Sequence, residues 1–285
     1  MTATVSPTAT GTTRIARPSS LITAVRLGVL RAGYETKVYF RQGDSIFFTF
    51  LFPIVMLTIF SVAFSSPDVH APGISAAGAY LPGMAAAGIL LSGVQNLAVD
   101  IAGERSDGTL KRLAGSPLPV LSYFLGKFGQ VLVTSFLQLT LLLLVASIAF
   151  GVELPSDAGS WFTLAWVYLL GIATSAILGI ALSGLPRTGK SATAVVIPIT
   201  LVLQFISGVY VSFALLPDWL QNVAAVLPLK WMAQGMRAVF LPDSFAAQET
   251  TGGWDLGTTA LVLGIWLVVG VLVSRLTFRW IRKDA

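Results

Sequence analysis

Eight residues of this chain, 184–191, match the phosphate-binding loop of ATPases at every position, with the sequence Gly-Leu-Pro-Arg-Thr-Gly-Lys-Ser. In such a loop, backbone N–H groups surround the phosphates and the lysine reaches the terminal ones. This chemistry requires a strand before the loop and a helix after it, inside a soluble α/β domain. Here the flanking segments, 162–182 and 192–211, are uncharged apolar runs, each long enough to cross a bilayer as a helix. We therefore interpret Arg187 and Lys190 as basic residues of a short cytoplasmic loop between two membrane spans.

The remaining residue types offer little other chemistry. The sequence contains no cysteine, which excludes disulfides and thiolate metal sites, and its single histidine, His70, cannot form a metal-binding pair. No two carboxylates lie inside an apolar segment, and no Ser–His pair suggests a hydrolase. We predict a chain that is not an enzyme, with no catalytic residue, no metal site and no cofactor of its own.

Composition assigns the chain to the membrane proteins. It is 55% hydrophobic and only 11% charged, whereas a soluble domain averages about 25% charged residues. Six apolar stretches have the length, about 20 residues, that a helix needs to cross the hydrocarbon core. They are 45–64, 80–99, 128–150, 162–182, 192–211 and 257–273. The predicted fold class is an all-α integral membrane protein with six transmembrane helices, in a transmembrane domain that runs from 43 to 285.

Basic residues are distributed unevenly between the two sides of this six-span arrangement. Of the 18 Lys and Arg residues, only Lys230 and Arg237 fall on one side, and the other side holds all the rest. Cytoplasmic loops carry such an excess of base, so both termini are predicted to be cytoplasmic. The net charge of +5 is then explained without nucleic acid, and we predict a multi-pass protein of the plasma (inner) membrane.

Two segments precede the first span. Residues 1–19 are rich in Thr, Ala, Ser and Pro and have no face to bury, which predicts a disordered cytoplasmic tail. Residues 20–42 follow the period of an amphipathic helix, with Leu21, Ile22 and Val25 on the apolar face and basic residues elsewhere. We interpret this segment as an interfacial elbow helix in contact with membrane lipid. The alternative is a solvated basic leader.

The connection 100–119 is the most charged internal segment, and Ser116-Pro-Leu-Pro119 ends it before the third span. A short cytoplasmic helix with both charge signs suits the docking of a partner, because charge complementarity fixes the register of an interface. The alternative for this coupling loop is a solvated connection without a partner.

Small and polar residues inside the spans predict close packing between helices. The fourth span carries one small residue every four, at Gly171, Ser175, Gly179 and Ser183, which forms a groove for a neighbouring helix. The amide side chains of the spans are expected to be hydrogen-bond partners between helices. These amides are Gln95, Asn96, Gln138 and Gln204.

The segment 212–255 is predicted to lie outside the cell. It contains two apolar runs of about a dozen residues, which are too short to span and typical of re-entrant helices. Two such helices before the last span would form an extracellular gate, with Pro217, Trp219, Pro228 and Trp231 as its residues. The alternative is an extracellular helical cap without a gating role.

The six span cores contain no Asp, Glu, Lys, Arg or His. Transporters driven by protons or ions place ionisable groups at membrane depth, where such groups are functional by default. Their absence argues against a secondary transporter and against a voltage sensor. Any pumping must then be powered from outside the membrane.

Several blocks of the sequence form a signature. The first is Glu104-Arg-Ser-Asp-Gly-Thr-Leu-Lys-Arg-Leu113, followed by Ser116-Pro-Leu-Pro119 and Tyr123-Phe-Leu-Gly-Lys127. The second comprises Ile206-Ser-Gly-Val-Tyr210, Leu216-Pro-Asp-Trp-Leu220, Leu227-Pro-Leu-Lys-Trp231 and Gly235-Met-Arg237, and Tyr80-Leu-Pro-Gly83 also fits. Over nearly all of the chain after Ser20, these blocks resemble the type-2 ABC exporter permeases. That family includes daunorubicin-type drug efflux subunits and exporters of polysaccharide and teichoic acid.

The resemblance implies a division of work between chains. Two permease copies, here a homodimer, would act with two copies of a separate ABC ATPase subunit, which holds ATP and Mg²⁺. Residues 104–113 would form the coupling helix on the ATPase, 20–42 the elbow helix, and 216–241 the re-entrant extracellular helices. The ATPase-coupling residues are then Glu104, Arg105, Asp107, Gly108, Thr109, Leu110, Lys111 and Arg112.

We therefore hypothesise a permease subunit that moves an amphipathic drug, lipid or glycolipid out of the cytoplasm by alternating access. Aromatic side chains of the spans would line the pathway, and the candidates are Phe47, Phe48, Phe205 and Tyr210. The alternatives are a polysaccharide or teichoic-acid exporter permease, an ion-coupled carrier, a membrane partner that transports nothing, and an ATPase in its own right.

Overall fold

The computed structural model describes residues 21–64, 74–186, 188–211 and 213–277. Within these ranges the chain forms helices and turns and no strand, which confirms the predicted all-α class. Its helices are numbered in chain order. They are α1 (Leu21–Tyr39), α2 (Gly43–Ile46), α3 (Phe47–Ala63), α4 (Ala76–Ser106), α5 (Thr109–Ala114), α6 (Val120–Phe150), α7 (Ala158–Leu182), α8 (Gly189–Ile206), α9 (Asp218–Val226), α10 (Pro228–Phe240) and α11 (Leu256–Thr277).

Helices occupy all six stretches that the sequence predicts to span the membrane. Four of them, α4, α6, α7 and α11, are long and apolar enough to cross a bilayer. The helices at the first and fifth stretches, α3 and α8, have shorter apolar parts of at most 17 residues. The predicted disordered tail 1–19 and His70 lie outside the described residues.

The helix at the second predicted span is longer than the sequence indicates. α4 continues to Ser106, beyond the predicted end at 99, and a turn at Gly108, with φ of 80°, leads into α5. Much of the predicted loop 100–119 is therefore helical. α6 likewise begins at Val120, before the predicted start at 128. Both extensions carry charged side chains that meet one another, and this pairing offsets the cost of burying them.

α4 is the buried centre of the bundle, in contact with α3, α6, α7 and α10. Small residues let its neighbours come close. A Cβ atom added at Gly179 of α7 would lie 2.2 Å from the backbone oxygen of Gly93 in α4, and one added at Gly93 would lie 2.4 Å from Cβ of Ser175. The groove of small residues predicted on the fourth span is thus confirmed as a packing face.

Two stretches of π-helix interrupt the regular helices. α3 begins with π-helical residues Phe47–Leu51, and α4 contains the π-helical segment Leu91–Asn96. Such segments occur often at functional sites, because the extra residue per turn redirects side chains.

α1 packs along α6 through small residues. A Cβ atom at Gly28 would lie 2.7 Å from Cβ of Leu125, and one at Gly129 would lie 2.6 Å from Cβ of Ala32. Ser122 in α6 donates a hydrogen bond to the carbonyl of Ala24, 2.8 Å away. The opposite face of α1 is apolar and exposed, with Leu21, Ile22, Val25 and Val29 between 49% and 83% exposed. A helix in the elbow segment is therefore present, and its position in the lipid headgroup layer stays a prediction.

The predicted extracellular segment forms a helical hairpin, α9 and α10, before α11. α10 packs against α4, α7 and α11. A buried ion pair ties it to the chain before α11, since Arg237 Nε lies 2.5 Å from Glu249 Oε1 and Nη2 lies 3.1 Å from Oε2. The hairpin is consequently an integral part of the bundle.

Candidate functional site

Lys127 of α6 is the centre of a buried ionic cluster. Its side chain is fully buried, and its Nζ lies 2.9 Å from an oxygen of Glu35 and 2.7 Å from an oxygen of Glu104. Nζ also donates a hydrogen bond to Asp100. The three carboxylates belong to α1 and α4, so one ammonium group joins three helices.

Neighbouring side chains complete the cluster. Arg31 lies 2.5 Å from Glu35, one turn away on α1, and 3.9 Å from Glu104. Tyr123 donates a hydrogen bond to Glu104 over 2.7 Å. Buried charges are stable only when paired and hydrogen-bonded. These contacts satisfy that condition for Glu104 and Lys127, whereas Glu35 is paired with Arg31 and Lys127 but its Oε1 accepts no hydrogen bond from a described residue.

Oxygen atoms of Glu35, Asp100 and Glu104 lie within 4.8 Å of one another, which is close enough for the three carboxylates to share a metal ion. The ammonium of Lys127 contacts all three. The positive charge that a metal would bring is therefore supplied by the protein itself.

A cavity of about 520 Å³ lies beside the cluster, walled by α1, α3, α4, α6 and α8. Its volume falls in the range of about 300 to 1,000 Å³ that is typical of small-molecule sites. Asp100, Glu35 and Gln130 line it near the cluster, and Phe52, Leu91 and Leu201 are among its apolar lining residues. Along α8 the lining extends from Thr193 to Gln204, a distance of about 16 Å along the helix axis.

Both π-helical segments contribute to this cavity and are hydrogen-bonded to each other. Asn96 Nδ2 donates to Thr49 Oγ1 over 2.7 Å, which connects α4 to α3. Tyr39 of α1 donates to the same hydroxyl over 2.6 Å. On the α8 side, Thr200 donates to Gln95 Oε1 over 2.7 Å. The helices around the cavity are thus held together by polar contacts.

The predicted hydrogen bonding of span amides is confirmed for Gln95 and Asn96, which bond to neighbouring helices. Gln204 bonds instead to Thr200 of its own helix and to Tyr210. For Gln138 the prediction is wrong, because neither amide atom has a hydrogen-bond partner among the described residues. The close approach of this side chain to Gly88 accounts for its position, since a Cβ atom at Gly88 would lie 2.2 Å from Oε1.

The predicted coupling residues lie at the turn between α4 and α5. Asp107, Lys111 and Arg112 are exposed. Gly108 supplies the left-handed conformation of the turn, and the N–H of Thr109 donates to the Asp107 carboxylate over 2.8 Å. The turn is thus ordered and presents charges of both signs, as docking would require, and docking itself stays a prediction.

The other predicted coupling residues point into the protein. Leu110 is fully buried, and Glu104 belongs to the ionic cluster. Arg105 donates to the carbonyl of Ser183 over 2.6 Å, which joins α4 to the end of α7. These side chains anchor the turn to the bundle, and substitution there would change the fold of the site as well as any docking.

The four predicted pathway aromatics are not gathered in one place. Phe48 lines the cavity. Phe47 and Phe205 are 55% and 48% exposed on the surfaces of α3 and α8. Tyr210 is buried beyond α8, where it donates to Gln204 Oε1 over 2.5 Å. Their role in a pathway stays a prediction.

The predicted gate residues divide between the two helices of the α9–α10 hairpin. Pro217 and Trp219, at the start of α9, are exposed. Pro228 and Trp231, in α10, are buried, and the indole N–H of Trp231 donates to the carbonyl of Ala225 over 2.7 Å. The gating role stays a prediction.

The segment that matches a phosphate-binding loop lies between two helices, α7 and α8, and no strand precedes it in the described residues. Thr188 and Ser191 form a reciprocal cap at the start of α8, with Ser191 N–H donating to Thr188 Oγ1 over 3.2 Å. The serine that would bind Mg²⁺ in such a loop therefore caps a helix. Arg187 and the side chain of Lys190 lie outside the described residues.

Sequence reasoning missed the ionic cluster. It placed Lys127 and Asp100 among the charges of a cytoplasmic connection and Glu35 on the elbow helix. One local signal was present, because Asp100 and Glu104 are four residues apart and therefore share a helix face. The contact between Lys127 and Glu35 spans 92 residues of sequence, and no local pattern indicates it.

Comparison with known proteins gives two kinds of similarity. The family described as ABC-2 family transporter protein matches residues 69–276, more than half of the chain. The probable multidrug ABC transporter permease YbhR of Escherichia coli (strain K12) is 24% identical over 147 residues, which cover 52% of this chain and 39% of that protein. The uncharacterized protein YhgE of Bacillus subtilis (strain 168) is 23% identical over 167 residues, which cover 58% of this chain and 21% of that protein. The chain thus matches less than half the length of either relative.

Proposed function

Since this chain belongs to the ABC-2 family of transporter proteins, we propose that it is the membrane permease of an exporter powered by a separate ATPase. The cargo is an amphipathic drug, lipid or glycolipid that leaves the cytoplasm. ATP and Mg²⁺ bind to the ATPase subunit, and no bond is made or broken on this chain.

One observation carries the proposal: a single helix connects an exposed charged turn to a cavity. The turn after α4 exposes Asp107. About 10 Å back along the helix axis, Asp100 belongs to both the ionic cluster and the cavity wall. A push on the turn would therefore move the cavity wall, because the helix between them is continuous and Lys127 ties it to α1 and α6.

The complete exporter contains two permease copies and two ATPase copies. All six apolar helices cross the plasma membrane, with both termini in the cytoplasm. α2 and α3 together run from 43 to 63 and extend about 31 Å, which matches the hydrocarbon thickness. α8 is about 27 Å long and crosses at the seam between the two copies.

Transport proceeds by alternating access. Closure of the ATPase subunits pushes the α4–α5 turn and the elbow helix α1, and the cavity changes from inward-open to outward-open. Phe48 and the exposed aromatics of α3 and α8 line the path at the seam. The outer hairpin, with Trp219 and Trp231, closes the path to the outside.

The test is ATP-driven dye uptake into inside-out vesicles that contain the permease and its ATPase. The double substitution Lys111→Glu with Arg112→Glu reverses the two exposed basic charges of α5 without touching the buried cluster. We expect it to abolish uptake while the chain still reaches the membrane in full amount. The matched control is Arg275→Glu, which reverses an exposed charge at the end of α11 and leaves uptake unchanged.

Undiminished uptake by the double variant contradicts ATPase docking at this turn. Uptake that persists without the ATPase and disappears when the proton gradient is dissipated would identify an ion-coupled carrier instead. ATP hydrolysis by the purified chain alone, lost on Lys190→Ala, would identify an ATPase.

A further inference from the structure

We infer that the cavity takes amphiphilic cations, with the positive group of the ligand against Asp100 and its apolar body along α3 and α8. This inference names the substrate class of the proposed exporter and rests on that proposed function. It separates the drug-like cargoes from the anionic polymers, which the family resemblance alone leaves open.

The first support is the charge balance of the cluster. Three carboxylates, Glu35, Asp100 and Glu104, meet two basic groups, Lys127 and Arg31. One negative charge is left over. Glu35 and Glu104 contact both basic groups, whereas Asp100 contacts only Lys127 among the described residues. The excess charge therefore resides on the side of Asp100.

The second support is the position of that charge. The side chain of Asp100 is 36% exposed, whereas those of Lys127 and Glu35 are 0% and 6% exposed. Asp100 lines the cavity. The accessible surface of the cluster that faces the cavity is thus a carboxylate, and a ligand entering the cavity meets negative charge first.

A third, independent feature lies in the same wall. Gln130, one helical turn beyond Lys127, is only 5% exposed and lines the cavity. Its amide nitrogen is 3.5 Å from Thr134 Oγ1, and its amide oxygen accepts no hydrogen bond from a described residue. A cationic N–H group of a ligand in the cavity would supply a donor for that oxygen.

The rest of the cavity suits an apolar body. Phe48, Phe52 and Leu91 line one part and Ile197 and Leu201 of α8 another. Most of the cavity surface is apolar, although the side chains of Gln95, Thr200 and Gln204 also line it, and the carboxylates are confined to the end near the cluster. An anionic headgroup, such as a phosphate, would meet uncompensated negative charge at that end and would be repelled.

The test uses two ions of the same size and shape and of opposite charge, tetraphenylphosphonium and tetraphenylborate. Equilibrium binding is measured on the purified full-length chain in nanodiscs of zwitterionic lipid, after subtraction of binding to empty nanodiscs. We expect the chain to bind the cation and to discriminate against the anion. Asp100→Asn removes the excess charge and leaves two carboxylates for two basic groups, so it should weaken cation binding by about tenfold.

Two further variants serve as controls. Asp100→Glu keeps the charge and should keep the preference for the cation. Glu153→Gln removes an exposed carboxylate from the α6–α7 connection and should leave cation binding unchanged. A thermal melt of each variant reports whether the fold is intact.

Equal binding of the two ions, no cation binding by the unaltered chain, or unchanged cation binding by a folded Asp100→Asn variant overturns the inference. ATP-dependent export of anionic cargo would overturn it as well and would leave the proposed exporter function standing. Cation binding without any ATP-dependent transport overturns the exporter function alone.

Discussion

Two fully buried lysines, Lys127 and Lys230, show how differently this protein compensates a charge. Lys127 contacts three carboxylates. Lys230, in α10, donates a hydrogen bond to Gln234, and its Nζ lies 3.7 Å from the ring centroid of Trp231. An amide and a π face compensate a positive charge only in part, so the protonated form of Lys230 is disfavoured by burial.

The titration of Lys230 is predicted to make the free energy of unfolding rise with pH. Burial lowers the pKa of this lysine from 10.5 to about 8, whereas the unfolded chain keeps a pKa of about 10.4. Between these two values the unfolded chain binds more protons than the folded one, so the free energy of unfolding increases with pH over that window. Lys230→Met should remove this contribution. The measurement is the thermal midpoint of both proteins from pH 7 to pH 10.5, and parallel curves would contradict the prediction.

Helix packing depends on positions where only glycine fits. At Gly179 a methyl group would lie 2.2 Å from the backbone oxygen of Gly93, and a backbone atom cannot rotate away as a side chain can. Gly179→Ala is therefore expected to push α7 from α4 and to lower stability by about 1–3 kcal/mol. The matched control is Gly264→Ala in α11, where nothing lies within 4 Å.

The control should be neutral or stabilising, because alanine is favoured over glycine by up to about 1 kcal/mol in a helix interior. Thermal or denaturant unfolding in detergent compares the two variants. Equal midpoints would contradict the prediction, because they would show that α7 and the π-helical segment of α4 can move apart without a measurable loss of stability.

At the scale of the whole molecule, the part of α8 that lines the cavity is also exposed on the protein surface. Ile197 and Leu201 line the cavity, and with Val202 and Phe205 they are 42% to 58% exposed. We predict that a second copy covers this face. Because the chain has no cysteine, Val202→Cys introduces a single thiol, which a short thiol-reactive cross-linker should join into a covalent dimer in membranes.

The control for this cross-link is Ile265→Cys on α11. This residue is 51% exposed and lies about as far from the C-terminal end of α11 as Val202 lies from the N-terminal end of α8. It should react with the linker and stay monomeric on a denaturing gel. Cross-linking of both variants to the same extent, or of Ile265→Cys alone, would contradict a seam along α8.

Several features of the fold follow from local sequence. Uncharged runs such as 162–182 predict the helices of the bundle, since an apolar run of that length has few other stable arrangements in a membrane. The spacing of Gly171, Ser175 and Gly179 predicts a packing groove, because small residues every four positions lie on one helix face and let a neighbouring helix approach. The exposed part of the coupling turn, including Asp107, was also predictable, because charges next to an apolar run must lie near water.

The ionic cluster and the cavity were not predictable in this way. Lys127 and Glu35 are 92 residues apart in sequence, and their contact exists only because α1 packs along α6 through Gly28 and Gly129. Helix ends were misplaced for the same reason: α4 continues past 99 because Asp100 and Glu104 find partners in space.

The sequence by itself determined that this is a helical membrane protein with a charged turn next to an apolar helix, since hydropathy and charge act residue by residue along the chain. Only the tertiary structure decided which charges are buried, which face a cavity and which remain exposed. The physical reason is that a charge becomes stable inside a protein through partners from other helices, and the packing of whole helices selects those partners.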